Sequence, residues 1–142
     1  MKPVLIVLSP YYTHIAAMLR AGAEAALTQA DAAFETVEIP GALEIPAAIA
    51  LAHASGRYSA YVGLGCVIRG ETTHYDTVCN ESARGISLLT TMERAAIGNG
   101  ILTVENEAQA IVRADPAQGN KGGEAAVAAL TLAKLKQQWG VA

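Results

Sequence analysis

Four short, mostly apolar runs, separated by longer stretches with helical spacing, restrict this chain to a layered α/β arrangement. Pro3 to Ser9 is almost continuously apolar, as a parallel strand covered on both faces should be. Phe34 to Ile39 alternates as a second strand, Tyr61 to Cys66 makes a third, and Ile101 to Val104 a short fourth. From Ile15, the positions Leu19, Gly22, Ala23, Ala26 and Leu27 recur at helical spacing, so a helix is expected to about Ala30.

Pro40 and Gly41 end the second run, and Ala42, Leu43 and Glu44 link it to an alanine-rich helix with Pro46 in its first turn and Gly56 at its close. Thr72 or Thr73 begins a long helix whose inner stripe is Val78, Ser82, Ile86, Leu89 and Met92. Gly98 and Gly100 read as bracketing the next turn, and Glu105 to Arg113 as one helical unit. Ala114 to Gly123 reads as a polar loop ending at two glycines, followed by a helix with Ala128, Leu132, Leu135 and Trp139 as its apolar stripe. Right-handed crossovers turn this order into a three-layer αβα domain with a four-stranded parallel sheet, spanning residues 1–142 as one unit.

A chain of 142 residues buries roughly 68% of its extended surface without metals or disulfides. Ten basic against thirteen acidic residues, a formal charge of −3, provide no electrostatic case for gripping nucleic acid. Local amides and one arginine can still hold a small anion. Cys66 and Cys79 form neither a CxxC pair nor a metal cluster, and they read as reduced thiols of a cytoplasmic protein. The opening MKPVLIVLSP is too short an apolar run for a signal peptide, and no stretch is long and apolar enough to span a bilayer.

The chemistry-bearing residues gather after the first three strands, at the sheet end where open α/β folds bind ligands. Tyr11 emerges after the first strand, where it can stack on a flat heteroaromatic ring or pack against another subunit. Leu43 and Glu44 follow the second. After the third comes IRGETTH, where amides beside Gly70 can cradle an anion, Thr72 and Thr73 can cap the next helix, and His74 can exchange a proton near neutrality. It lacks the GxxxxGK[ST] spacing of a nucleotide P-loop. Arg69 and Arg113 are either anion ligands or solvated surface groups. Lys121, in GNKGG, is either a loop charge or a residue that a flexible turn carries over a ligand. Glu124, three residues on, offsets a helix dipole or orients a base such as His74.

The segments PGALEIP, GCVIRGETTHYDTVCNE, ILTVEN, EAQAIVRA and GNKGGEAA closely resemble lumazine synthases, over nearly the entire chain. That resemblance implies a flavodoxin-like subunit forming homopentamers, which in some members build decamers or an icosahedral shell, with sites between adjacent subunits. It implies a transferase that makes 6,7-dimethyl-8-ribityllumazine from 5-amino-6-ribitylaminopyrimidinedione and 3,4-dihydroxy-2-butanone 4-phosphate in riboflavin biosynthesis. No cofactor and no metal are implied; riboflavin synthase is the functional partner.

By the same resemblance, Tyr11 stacks on the pyrimidine ring, and Ala42, Leu43 and Glu44 meet the ribityl chain. Val67 and Ile68 hold the heterocycle, Gly70, Glu71 and Thr72 bind phosphate, and His74 transfers protons. From the neighbouring subunit come Arg113 to the phosphate, Lys121 near the ribityl-bearing substrate, and Glu124 beside the histidine. Asn99 stands where many members place an aromatic lid residue, so weaker ring packing or a hydrogen bond in its place is expected. The chain begins almost at its first strand, whereas many shell-forming members carry an additional N-terminal strand, and this counts against a closed shell.

Overall fold

A computed structural model describes all 142 residues. Four strands, β1 (Val4–Leu8), β2 (Phe34–Glu38), β3 (Ala60–Ile68) and β4 (Ile97–Val104), form one parallel sheet in the order β2-β1-β3-β4. Helices α1 (Thr13–Gln29), α4 (Glu107–Ala114) and α5 (Lys121–Gln138) cover one face. The other carries α2 (Ile45–Ser55), preceded by a 3-10 turn at Ala42–Glu44, and α3 (His74–Met92). This is the three-layer αβα sandwich expected of a flavodoxin-like fold. No helix is long and apolar enough to cross a membrane.

The strand alternation splits the core in two. Ile6, Leu8, Val62 and Leu64 pack with Leu19, Leu27 and the alanines of α5, whereas Leu5, Val7 and Tyr61 pack with Ile45 and Ile49 of α2. Complete burial of Ile6, Leu19 or Ile45 stabilises the fold by about 1.5–3 kcal/mol each. The alanines of α5 offer far less area, so that helix depends on how closely it approaches its neighbours.

Two glycines make this approach possible, and they correct the sequence reading. Gly98 lies inside β4, not in a turn before it: a β-carbon there would overlap the carbonyl oxygen of Ala125 on α5. Gly122 lies inside the first turn of α5, where a β-carbon would meet the carbonyl of Leu19 on α1. Gly100, also read as part of a turn, is likewise a strand residue.

The buried face of α5 is built from Gly122, Gly123, Ala125, Ala126, Ala129, Leu130 and Ala133. Ala128 and Trp139 are exposed, Leu132 is at the edge of exposure and Leu135 is half-buried, so the expected bulky stripe is not the core face. The helix turns its small side chains inward because they permit the close approach. On α3, Val78, Ser82 and Ile86 are buried as expected and Leu89 packs partly against them. Met92, expected on the same stripe, is 69% exposed.

Candidate active site

β1 ends at Leu8 opposite Leu64, whereas β3 continues to Ile68 beside Val104 of β4. This step lies where the chain order reverses between β1 and β3, the switch point at which open parallel sheets leave a crevice. A cavity of about 430 Å³ occupies it. Such a volume falls within the range of about 300–1,000 Å³ for small-molecule sites.

Three strand-to-helix connections supply the walls. Tyr11 comes from the turn after β1, Ala42, Leu43 and Glu44 from the 3-10 turn after β2, and Val67 and Ile68 from the end of β3. Gly70, Thr72 and His74 complete the rim. Nine residues singled out in the sequence thus surround one space. Tyr11 is 73% exposed and makes a T-shaped pair with Tyr12, ring centroids 4.9 Å apart, leaving much of its surface free for a planar ligand.

The turn before α3 has the character of an anion cradle. The backbone amides of Gly70, Glu71, Thr72 and Thr73 donate to no acceptor within the chain, and the 19-residue helix α3 starts immediately beyond them. Free amides and the positive end of a helix dipole both favour negative charge. The expected threonine cap takes a different form: Thr73 precedes the helix without a side-chain cap bond, and Thr72 Oγ1 accepts from the amide of His74 at 3.3 Å. His74 is the first helical residue and its imidazole faces the cavity from an exposed position.

Arg69 adjoins this turn but is not a free cation. Its Nε donates to Glu105 Oε2 at 2.5 Å, Nη1 lies 3.7 Å from Asp76 Oδ1, and the guanidinium stacks 4.3 Å from the centre of the Tyr75 ring. The hydrogen bond it donates to Glu105 heads the causes that raise its pKa further.

Five expected site residues do not line the cavity of their own chain. Glu71 belongs to the cradle but points to solvent. Asn99 is exposed on edge strand β4, with its Oδ1 accepting from the amide of Ile101 at 2.9 Å. Arg113 lies near the end of α4, while Lys121 and Glu124 form a 3.2 Å ion pair on the first turn of α5, both in the opposite helical layer. Lys121 is a helical residue; the flexible turn expected to carry it is absent because Asn120 caps the helix by accepting from the amide of Gly123.

The cavity also uses residues that the sequence did not assign to a site. Tyr12 shares its wall with Tyr11, and burial leads the causes that push the Tyr12 phenol up. Val78 follows His74 by four residues and shares its helical face, so a helical projection from His74 would have found it; Tyr75, at the next position, lies about 100° round the helix and had no such signal. Cys66 lies at the cavity floor, where burial pushes its thiol up to about 11 and keeps it protonated near neutrality.

The profile of the 6,7-dimethyl-8-ribityllumazine synthase family matches residues 2–137. The chain belongs to that family. A lumazine synthase of Novosphingobium aromaticivorans is 60% identical over 139 residues, covering 98% of this chain and 99% of the relative. The lumazine synthase of Sphingopyxis alaskensis is 58% identical over 99% of both chains, and 6,7-dimethyl-8-ribityllumazine synthase 1 of Rhizobium meliloti 51% identical over 98% of this chain and 95% of its own. Membership supports lumazine synthase activity as the general activity of the protein. The matched span includes every segment that lines the cavity, together with Asn99, Arg113, Lys121 and Glu124.

Proposed function

We propose that the chain condenses 5-amino-6-ribitylaminopyrimidinedione with 3,4-dihydroxy-2-butanone 4-phosphate, releasing phosphate and water to form 6,7-dimethyl-8-ribityllumazine. One observation carries this reading: an exposed aromatic, a 3-10 turn bearing Glu44, a row of free amides and an imidazole converge on a single cavity. Tyr11 stacks on the pyrimidine, with Val67 and Ile68 beside the ring and Ala42, Leu43 and Glu44 along the ribityl chain. The amides of Gly70, Glu71 and Thr72 hold the phosphate.

In this mechanism the substrate amine adds to the ketone, and the carbinolamine loses water to give an imine. Removal of a proton from the carbon beside the imine drives out phosphate; the second nitrogen then closes the ring with loss of water. No step changes the overall oxidation level, so the chemistry calls for no redox cofactor. His74 moves the protons, and the turn amides with Arg113 stabilise the phosphate as it departs.

Arg113, Lys121, Glu124 and Asn99 act, in this reading, from an adjacent subunit of a homopentamer. Their distance from their own cavity supports that arrangement, as does the outward position of Leu51, Leu88, Met92 and Val112, apolar side chains that assembly would cover. The product would pass to riboflavin synthase in the cytoplasm.

Spectroscopic detection of lumazine from the two substrates tests the assignment. The unmutated protein should exceed the uncatalysed rate, and a correctly assembled protein that does not would overturn the assignment. His74→Ala should retain activity. Proton transfer contributes at least about 10²-fold in many enzymes, but holding amine and ketone together supplies much of the acceleration here, so a loss of about 10- to 100-fold is expected. Complete loss in an assembled His74→Ala variant would instead assign His74 the dominant share.

A further inference from the structure

We propose that Arg69 is a positioning residue for the phosphate turn and not a ligand of the phosphate, an inference that rests on the synthase reading above. Its place immediately before Gly70 makes it the obvious anion ligand by charge alone. The geometry points elsewhere, because its charge and one face of its guanidinium are already engaged. Glu105 and Asp76 supply two carboxylates, at 2.5 and 3.7 Å, and Tyr75 covers the planar face.

These contacts tie the turn at both ends. The amide of Arg69 donates to the carbonyl of Val104 at 3.0 Å, so its backbone continues the β3–β4 pairing beyond the last strand residue. Glu105 is held in turn by Gln109, whose Oε1 accepts from the Glu105 amide at 2.8 Å. At the far end, Tyr75 and Asp76 belong to the first turn of α3, directly after His74. Arg69 therefore links the end of β4 to the start of α3 across the base of the cradle.

The cradle needs such a clamp because little inside it provides order. Its four free amides form no bond within the chain, a β-carbon at Gly70 would meet open space, and the Thr72 bond to His74 is the one side-chain hydrogen bond within the turn. A segment of this kind pays its conformational entropy without internal compensation unless its ends are fixed. A planar guanidinium can donate along its edge while stacking on a ring, which an ammonium cannot do.

The test compares Arg69→Gln, Glu105→Ala and the double variant by steady-state kinetics, varying each substrate separately. A clamp requires both partners. Each single variant should raise KM for the butanone phosphate by on the order of tenfold, the double variant should be no worse, and KM for the pyrimidine should stay put. A phosphate ligand behaves differently: Glu105→Ala would free the guanidinium and leave that KM unchanged or lower, and either result overturns the proposal. So does an additive double variant. If Arg69→Gln fails to assemble, Glu105→Ala alone decides by the same criterion. An unmutated protein that makes no lumazine would overturn the synthase reading and this inference together, whereas an active one with an unaffected Glu105→Ala variant overturns only the inference.

Discussion

Replacing Arg113 by alanine is expected to lower kcat/KM for the butanone phosphate by about 10²-fold while leaving pyrimidine affinity nearly unchanged. Arg113 is exposed near the end of α4, and its Nη1 donates to the carbonyl of Gln109 in its own helix at 3.1 Å. No carboxylate of its chain pairs with it, in contrast to Arg69, so its charge is available to a phosphate presented by a neighbour. Guanidinium groups suit this role because they donate two parallel hydrogen bonds to phosphate oxygens. Removing one charge-stabilising donor costs about 3 kcal/mol in the transition state, which is the expected loss. Titrating the two substrates separately checks it. Equal weakening toward both would mean that Arg113 acts on the fold or assembly and not on phosphate.

Gly98→Ala is expected to be the most damaging single-methyl change to stability. The added carbon would occupy the place of the Ala125 carbonyl oxygen, an atom of helical backbone that cannot swing aside as a flexible side chain does. Either α5 lifts away from β4 or the strand bends, and both expose core alanines. Overpacking of this severity costs roughly 3 kcal/mol, which for a chain of this length lowers Tm by about 10 °C. Thermal unfolding at fixed protein concentration measures it. Gly70→Ala is the control, because open space surrounds that position and Tm should barely move. Similar transitions for Gly98→Ala and the unmutated protein would show that α5 does not depend on this approach.

The fold was largely legible because three of its strands announce themselves by large apolar residues. Val4, Ile6, Tyr61 and Leu64 form the pattern that the sheet then uses. The cavity was legible for a related reason: ligand-facing segments follow strand ends, and Tyr11, Ala42–Glu44 and Gly70–His74 do so. Glycine was the main source of error. Gly98 and Gly100 carry the same letter whether they make a turn or admit a neighbouring helix, and only the contact with Ala125 distinguishes these for Gly98. The inner face of α5 was invisible for the converse reason, since a stripe of glycine and alanine gives a weak hydrophobic period beside Leu132 and Trp139. The ion pairs of Arg69 were not legible, because a local motif shows its charge but not Glu105, which reaches it from the next strand's end.

Sharing of one site by two chains can be tested by mixing Arg113→Ala with His74→Ala protein under conditions that permit reassembly. Random mixed pentamers should contain an intact His74–Arg113 pair at about one quarter of their interfaces, and activity should climb toward about one quarter of the unmutated value, above either parent. Activity that stays at the average of the two parents, in pentamers shown by native mass to be mixed, would mean that each chain carries its own complete site.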